Sequence, residues 1–224
     1  MSTPHTADQV GSLWTAYHLS KSGGYICASI PVSLYEKMAV VGQRYSSFVV
    51  PVPRVMPPSP ERDSKEEEDT AYEFYFLQWD FHESPPVPRE TEDLFAKASK
   101  AGVEGNPNPR TSTVLFTPLQ EYKMRAAFAT PYLVLTHYTD LAKTHGVVLL
   151  RGEMTPVSAN GAGGIDGRYM LNQEDAHFLS MALQKFYLWN SDGSVEGEKL
   201  LKCFHETPGE FKWEDVLEYA NRTQ

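Results

Sequence analysis

Two strand-like runs, held apart by a connector too short to cross over a sheet, constrain this chain more than any other feature. Tyr132-Leu133-Val134-Leu135-Thr136-His137-Tyr138 and Gly146-Val147-Val148-Leu149-Leu150 are dense in β-branched, aromatic and aliphatic residues, which suit a pleated backbone. Between them, Thr139 and Asp140 give a helix-start signal and Gly146 a stop, enough for about one helical turn. A parallel crossover needs a dozen or more residues, so the spacing predicts an antiparallel pair. Ser112 to Phe116 reads as a third strand. Glu121 to Phe128, with Tyr122, Met124 and Phe128 set among Lys123 and Arg125, reads as a short amphipathic helix that Pro131 ends.

The segment Tyr72 to Phe81 predicts a further strand with an unusual pattern. Alternation places Tyr72, Phe74 and Phe76 on one face and Tyr75, Leu77, Trp79 and Phe81 on the other. Both faces are therefore apolar, which requires helices on both sides of the sheet or one aromatic face that meets another molecule. The second set, Tyr75, Leu77, Trp79 and Phe81, together with Phe48, forms the candidate partner-binding surface. Phe48 begins an extended run in which Pro51 and Pro53 cannot donate ladder hydrogen bonds, so that run suits a sheet edge.

Local signals place the helices. Thr6 and Gln9 have capping-box spacing, and Val10, Leu13, Trp14 and Tyr17 follow on one stripe. That helix ends near Gly23 and Gly24, and a second starts at Pro31 with Leu34, Met38, Val41 and Tyr45 on its apolar face. Both stripes are expected to pack on a sheet. Asn172 caps a third helix, with Asp175 in its first turn and Phe178, Leu179, Ala182, Leu183 and Phe186 as its apolar face. Lys199 to His205 predicts a strand, and Trp213, Val216, Leu217 and Ala220 a final helix.

Residues 55–71 and 83–110 are proline-, glycine- and charge-rich. Such segments bury too little apolar area to offset their ordering entropy and are expected to be two long disordered insertions, the second with a short helix at 91–100. Residues 155–168 carry loop chemistry, as do 190–193. The fold expected is α+β: one domain over 1–224, a mostly antiparallel sheet of five or six strands and helices packed against it.

The chemistry-bearing residues are sparse. His82, His137, His145, His177 and His205, with Asp140, Glu153 or Asp175 as company, show no metal-ligand spacing. No serine stands in a nucleophile elbow, and neither Cys27 nor Cys203 has the local signature of a catalytic thiol. The glycines of 160–167 miss the dinucleotide-binding pattern, because Asp166 occupies the third glycine position. No catalytic, metal or cofactor residues are assigned. With 20 basic against 29 acidic residues the net charge is −9, which disfavours nucleic acid as a partner. Apolar runs reach only strand length, so no membrane insertion is expected. Two distant cysteines fit a reducing compartment.

The block from Phe116 to Met154 resembles the mitochondrial ATP synthase (F1-ATPase) assembly factor 1 family. Phe48-Val49-Val50-Pro51-Val52-Pro53-Arg54, Tyr72-Glu73-Phe74-Tyr75-Phe76-Leu77-Gln78-Trp79 and Phe211-Lys212-Trp213-Glu214-Asp215-Val216-Leu217 extend the resemblance in the family's order. The resemblance implies a non-enzymatic, monomeric chaperone of the mitochondrial matrix. Its partner would be the unassembled F1 β subunit, whose α-binding surface it shields from aggregation while F1 assembles. It also implies a targeting segment ahead of Met1, since Met1 to Gln9 lacks the arginines of a transit peptide. The alternative is a small α+β hydrolase with a site assembled across the sheet.

Overall fold

The computed structural model describes residues 5–21, 23–55, 70–83, 110–157, 168–189 and 195–221. The interiors of both expected insertions, the 91–100 helix, residues 158–167 and the 190–193 turn lie outside these described residues. Val55, Thr70 and Ala71, read as insertion, belong to strands.

One antiparallel sheet of six strands organises the described chain, in the order β1 (Tyr25–Pro31), β6 (Val147–Met154), β5 (Leu133–Tyr138), β4 (Thr111–Pro118), β3 (Thr70–His82) and β2 (Ser47–Val55). The α+β expectation and the strand count hold. The founding pair is antiparallel as its short connector requires, with Val134 opposite Glu153. The connector is one turn of helix, α4 (Ala142–His145), closed by Gly146 at φ 69, a left-handed conformation that glycine adopts without strain. The first two strands in sequence form the two sheet edges. Helix α2 (Val32–Arg44) carries the chain from one edge to the other. The prolines of β2 sit on an edge strand, as expected.

The inner face of the sheet carries the core. Phe48, Val50, Tyr75, Leu77, Phe116, Leu133, Leu135 and Val148 are sealed there under α2, α5 (Gln173–Tyr187) and α6 (Val195–Glu206). On α2 the predicted stripe is correct: Met38, Val41 and Tyr45 are buried. On α5 the Asn172 cap forms as predicted, Oδ1 accepting from the Asp175 amide at 2.7 Å. Helix α7 (Trp213–Asn221) wraps the β2 edge, with Tyr219 against Phe186 inside and Trp213 against Phe74 outside.

Two expectations need correction. The Lys199–His205 strand is helix α6. A short apolar run fits either period, and Leu200, Leu201 and Phe204 lie on one helical face, reinforced by the i,i+4 pair of Glu198 with Lys202. Strand β1 is an element to which the sequence signals gave no assignment. The first helix, α1 (Ala7–Leu19), has its predicted capping box but is rotated. Gly11, Trp14 and His18 approach the sheet, while Leu13 and Tyr17 stay exposed. The Trp14 indole N–H donates to the Leu150 carbonyl at 2.9 Å and fixes that rotation.

Candidate functional site

The five residues nominated as a partner surface are placed by the inner face of β3 and by β2. Phe48, Tyr75, Leu77 and Trp79 are buried by their own chain, and Phe81 is half-buried. Phe48 packs on Phe186 and Phe204 at ring distances of 4.8 and 5.4 Å. Trp79 stacks between Phe81 and His137, and it lies so close to α2 that a Cβ on Gly42 would come within 2.8 Å of its ring. These side chains form the interior of the folded chain. The opposite face of β3 is the accessible one, and alternation carried on to Gln78, Asp80 and His82 marks it as the outward face.

That outer face is covered at its two ends. Helix α1 lies on β1 and β6, with Trp14 edge-on to Tyr138. Helix α3 (Leu119–Arg125), followed by a 3-10 turn (Ala126–Phe128), lies over β3, where Tyr122 meets Phe76 at 4.3 Å. Between these helices Thr113, Leu115, Val134, Thr136 and Gln78 are half-exposed. A cleft of about 810 Å³ opens between α3 and the ends of β2 and β3, lined by Tyr72, Phe74, Leu119, Met124, Tyr132 and Met170 among others.

Helix α3 and its turn form a projecting tip that sequence reading treated as an ordinary amphipathic helix. Phe128 is 88% exposed and Met124 77%, the first the most exposed large apolar side chain among the described residues. Pro131 and Tyr132 start the return into β5 at once, and among the described residues no second layer covers the tip. Its base is held firmly. Glu121 accepts from the Thr130 amide at 3.2 Å and pairs with Arg125 at 3.6 Å. The Ala126 amide donates to the Tyr122 carbonyl, and Ala126 itself stands at φ 49, ψ −120. A non-glycine residue in that region stores roughly 1–3 kcal/mol. Burial, followed by the neighbouring Glu121 carboxylate, pushes the Tyr132 hydroxyl above its ordinary pKa. Lys123 is exposed and has no ion-pair partner among the described residues.

Beside the cleft, Arg54 ties β2 to β3 and α5. It donates to Glu73 at 2.5 and 3.0 Å and to Asp175 at 2.6 Å. Burial acts against the cation, but the two carboxylates outweigh it and hold the guanidinium pKa above its ordinary value.

A hydrolytic reading gains little from the interior. Ser112 Oγ lies 3.2 Å from His137 Nδ1 and 3.0 Å from the Tyr35 hydroxyl, an arrangement with the look of a nucleophile and base. Ser112 and His137 are both fully buried, and burial pushes the imidazole down to about 4 against an opposing hydrogen bond to Ser112. A substrate has no route to this hydroxyl, and such an imidazole is a weak base. Of the other histidines, His205 lies 2.6 Å from the Ser47 carbonyl and His82 3.0 Å from Thr113. Among the described residues no three His, Cys, Asp or Glu side chains stand close enough to hold a metal ion. No helix among them is long and apolar enough to cross a membrane.

The profile of a family described as ATP11 protein matches residues 2–217, nearly the whole chain, and so takes in the sheet, the cleft and the tip together. The chain belongs to the ATP11 family. It is 26% identical to "Protein atp11, mitochondrial" of Schizosaccharomyces pombe over 85% of this chain and 49% of that one. It is 24% identical to the human "ATP synthase mitochondrial F1 complex assembly factor 1" over 95% of this chain and 46% of the human protein. The mouse protein of the same name matches to the same identity. The chain spans about half the length of these relatives.

Proposed function

We propose that this protein is an assembly factor of mitochondrial F1 that acts in the matrix without catalysing a reaction. In this reading it binds the unassembled β subunit and covers the surface that β later presents to α. Two lines support it: membership of the ATP11 family, whose relatives carry the assembly-factor name, and the exposed apolar side chains around α3. The single observation that carries most weight is the exposure of Met124 and Phe128 on a rigidly braced support. Exposed apolar groups on a fixed scaffold favour association over self-burial.

An interface meant for a permanent neighbour is large and apolar, and it aggregates when left open. A factor that covers it must bind well enough to prevent aggregation and weakly enough to be displaced by the proper neighbour, which requires competition and no nucleotide. The test is a pull-down with purified α and β offered separately, followed by a light-scattering assay of β aggregation. Retention of β alone, with scattering suppressed at about equimolar ratio and reversed by adding α, is the expected result. Retention of neither subunit overturns the reading. Stable co-purification with complete F1 would indicate a permanent subunit instead.

A further inference from the structure

We infer that the tip formed by α3 and its 3-10 turn, with the cleft at its base, is the contact surface, and that its occupant is an apolar segment rimmed by carboxylates on the unassembled F1 β subunit. This rests on the β-binding reading above and names where and by what chemistry that contact is made.

Four observations converge on the tip. Its apolar groups are large and outward: Phe128 and Met124 reach solvent while Tyr122, one turn away, is held on Phe76. An aromatic ring and a flexible thioether are the side chains that anchor in a partner's pocket at small entropic loss. The tip is also pre-shaped. Glu121 clamps both Arg125 and the Thr130 amide, and Ala126 is kept in a backbone region that glycine would occupy more easily. Such strain persists where surrounding contacts over-determine it, and it concentrates at functional contacts. Next, an open cleft of about 810 Å³ lies directly beside the tip, walled by Phe74, Leu119 and Met170. It offers the partner's own apolar side chain a place to go while Phe128 goes the other way.

The fourth observation is charge. The chain carries −9 overall, yet Lys123 on the tip makes no ion pair among the described residues, and the nearby Glu121 carboxylate is engaged with Arg125. Lys123 is thus a surplus cation at the rim of an apolar surface, and the complementary partner presents a carboxylate there. An anionic bilayer fits less well. The net charge repels it at long range, and two apolar side chains supply too little buried area for stable insertion. Of the other exposed apolar groups, Leu13, Tyr17 and Leu19 stand on α1, where Leu19 also borders a cleft of about 810 Å³, but that helix has no strained brace like that at Ala126.

The experiment places a photo-crosslinking residue at Phe128, and a control one at Leu19, in the full chain, and offers purified β, purified α and phosphatidylglycerol-containing vesicles in separate arms. Met124→Ser/Phe128→Ser and Lys123→Glu are measured alongside for β affinity and melting temperature. Expected are a crosslink to β from position 128 and none from 19, with roughly tenfold or greater weakening by the double substitution at unchanged melting temperature. The Lys123→Glu loss should be a few-fold and should shrink as salt rises. If the unsubstituted chain binds β while position 128 does not crosslink and the double variant binds normally, the tip is not the contact and the assembly reading stands. A crosslink from 128 to α with none to β overturns both the β assignment and this occupant. Binding to vesicles that the double substitution abolishes, without loss of β affinity, makes the tip a membrane contact and overturns the inference. Failure of the unsubstituted chain to bind β removes the reading and the inference with it.

Discussion

Acidification should unfold this protein partly through one imidazole, and the size of the effect can be worked out. His137 is fully buried between Trp79 and Tyr35, with its Nδ1 on Ser112. Burial lowers its pKa to about 4, against about 6.5 for an unfolded histidine. The folded state therefore resists a proton that the unfolded state accepts. The resulting stability is fully present above about pH 6.5 and is lost as pH falls towards 4, the direction in which the unfolded chain binds more protons. Between pH 7 and 4.5 those two values give a loss of about 2.4 kcal/mol from this group alone. For a chain of this length that corresponds to a fall of roughly 5–10 °C in melting temperature. Carboxylates add their own acid sensitivity, so the quantity to measure is a difference. Urea unfolding followed by far-ultraviolet circular dichroism, on the native chain and on His137→Phe at pH 7 and 4.5, isolates it. The phenylalanine variant should start less stable at pH 7, because it orphans a hydroxyl bond, and should lose about 2.4 kcal/mol less on acidification. Equal losses in the two proteins would refute the placement of a neutral imidazole in a dry site.

Trp79→Ala, which removes a ring packed against Gly42, His137 and Tyr187, should destabilise by about 3–5 kcal/mol in the same urea experiment. Phe128→Ser should change stability by under about 0.5 kcal/mol. A small effect of Trp79→Ala would reopen the case for that ring as a surface group. Arg54→Met leaves Glu73 and Asp175 facing each other without a cation; a loss of about 1–3 kcal/mol at pH 7 is expected. A loss below about 0.5 kcal/mol would mean that the clamp adds nothing net to stability. Ala126→Gly should raise stability by ~1 kcal/mol by relieving the φ 49 conformation. It should also weaken F1 binding, since a looser tip must be ordered on contact. Parallel gains in stability and affinity would contradict the bracing argument.

How much the sequence revealed depended on range. Thr6 with Gln9 and Asn172 with Asp175 were readable because a cap is completed within four residues. The β5–β6 pair was readable because its connector length forbids the parallel alternative. Strand β1 escaped notice because Gly23 and Gly24 precede it, Pro31 ends it next to a helix, and its ladder partner among the described residues lies more than a hundred positions away, Tyr25 opposite Glu153. The face of β3 was assigned in the wrong sense because both of its faces begin aromatic; the polar residues that decide the matter arrive only at Gln78, Asp80 and His82. The clamp of Arg54 on Asp175 spans 121 positions and leaves no local trace. The tip's exposure was hidden as well, since Met124 and Phe128 have the spacing of any amphipathic helix and only the fold shows that no described residue covers them.

The strand order has a consequence for how the polypeptide acquires its shape. Tyr25–Pro31 is made well before the ribbon it joins, which ends at Met154, so its amides stay without that ladder partner until more than a hundred further residues have been produced. Contacts so distant along the chain slow folding and lengthen the interval in which an incomplete intermediate can stick to its neighbours. A nascent chain stopped just before residue 147 would expose β5 as an unfinished margin and should precipitate, whereas one carried through Met154 closes that margin.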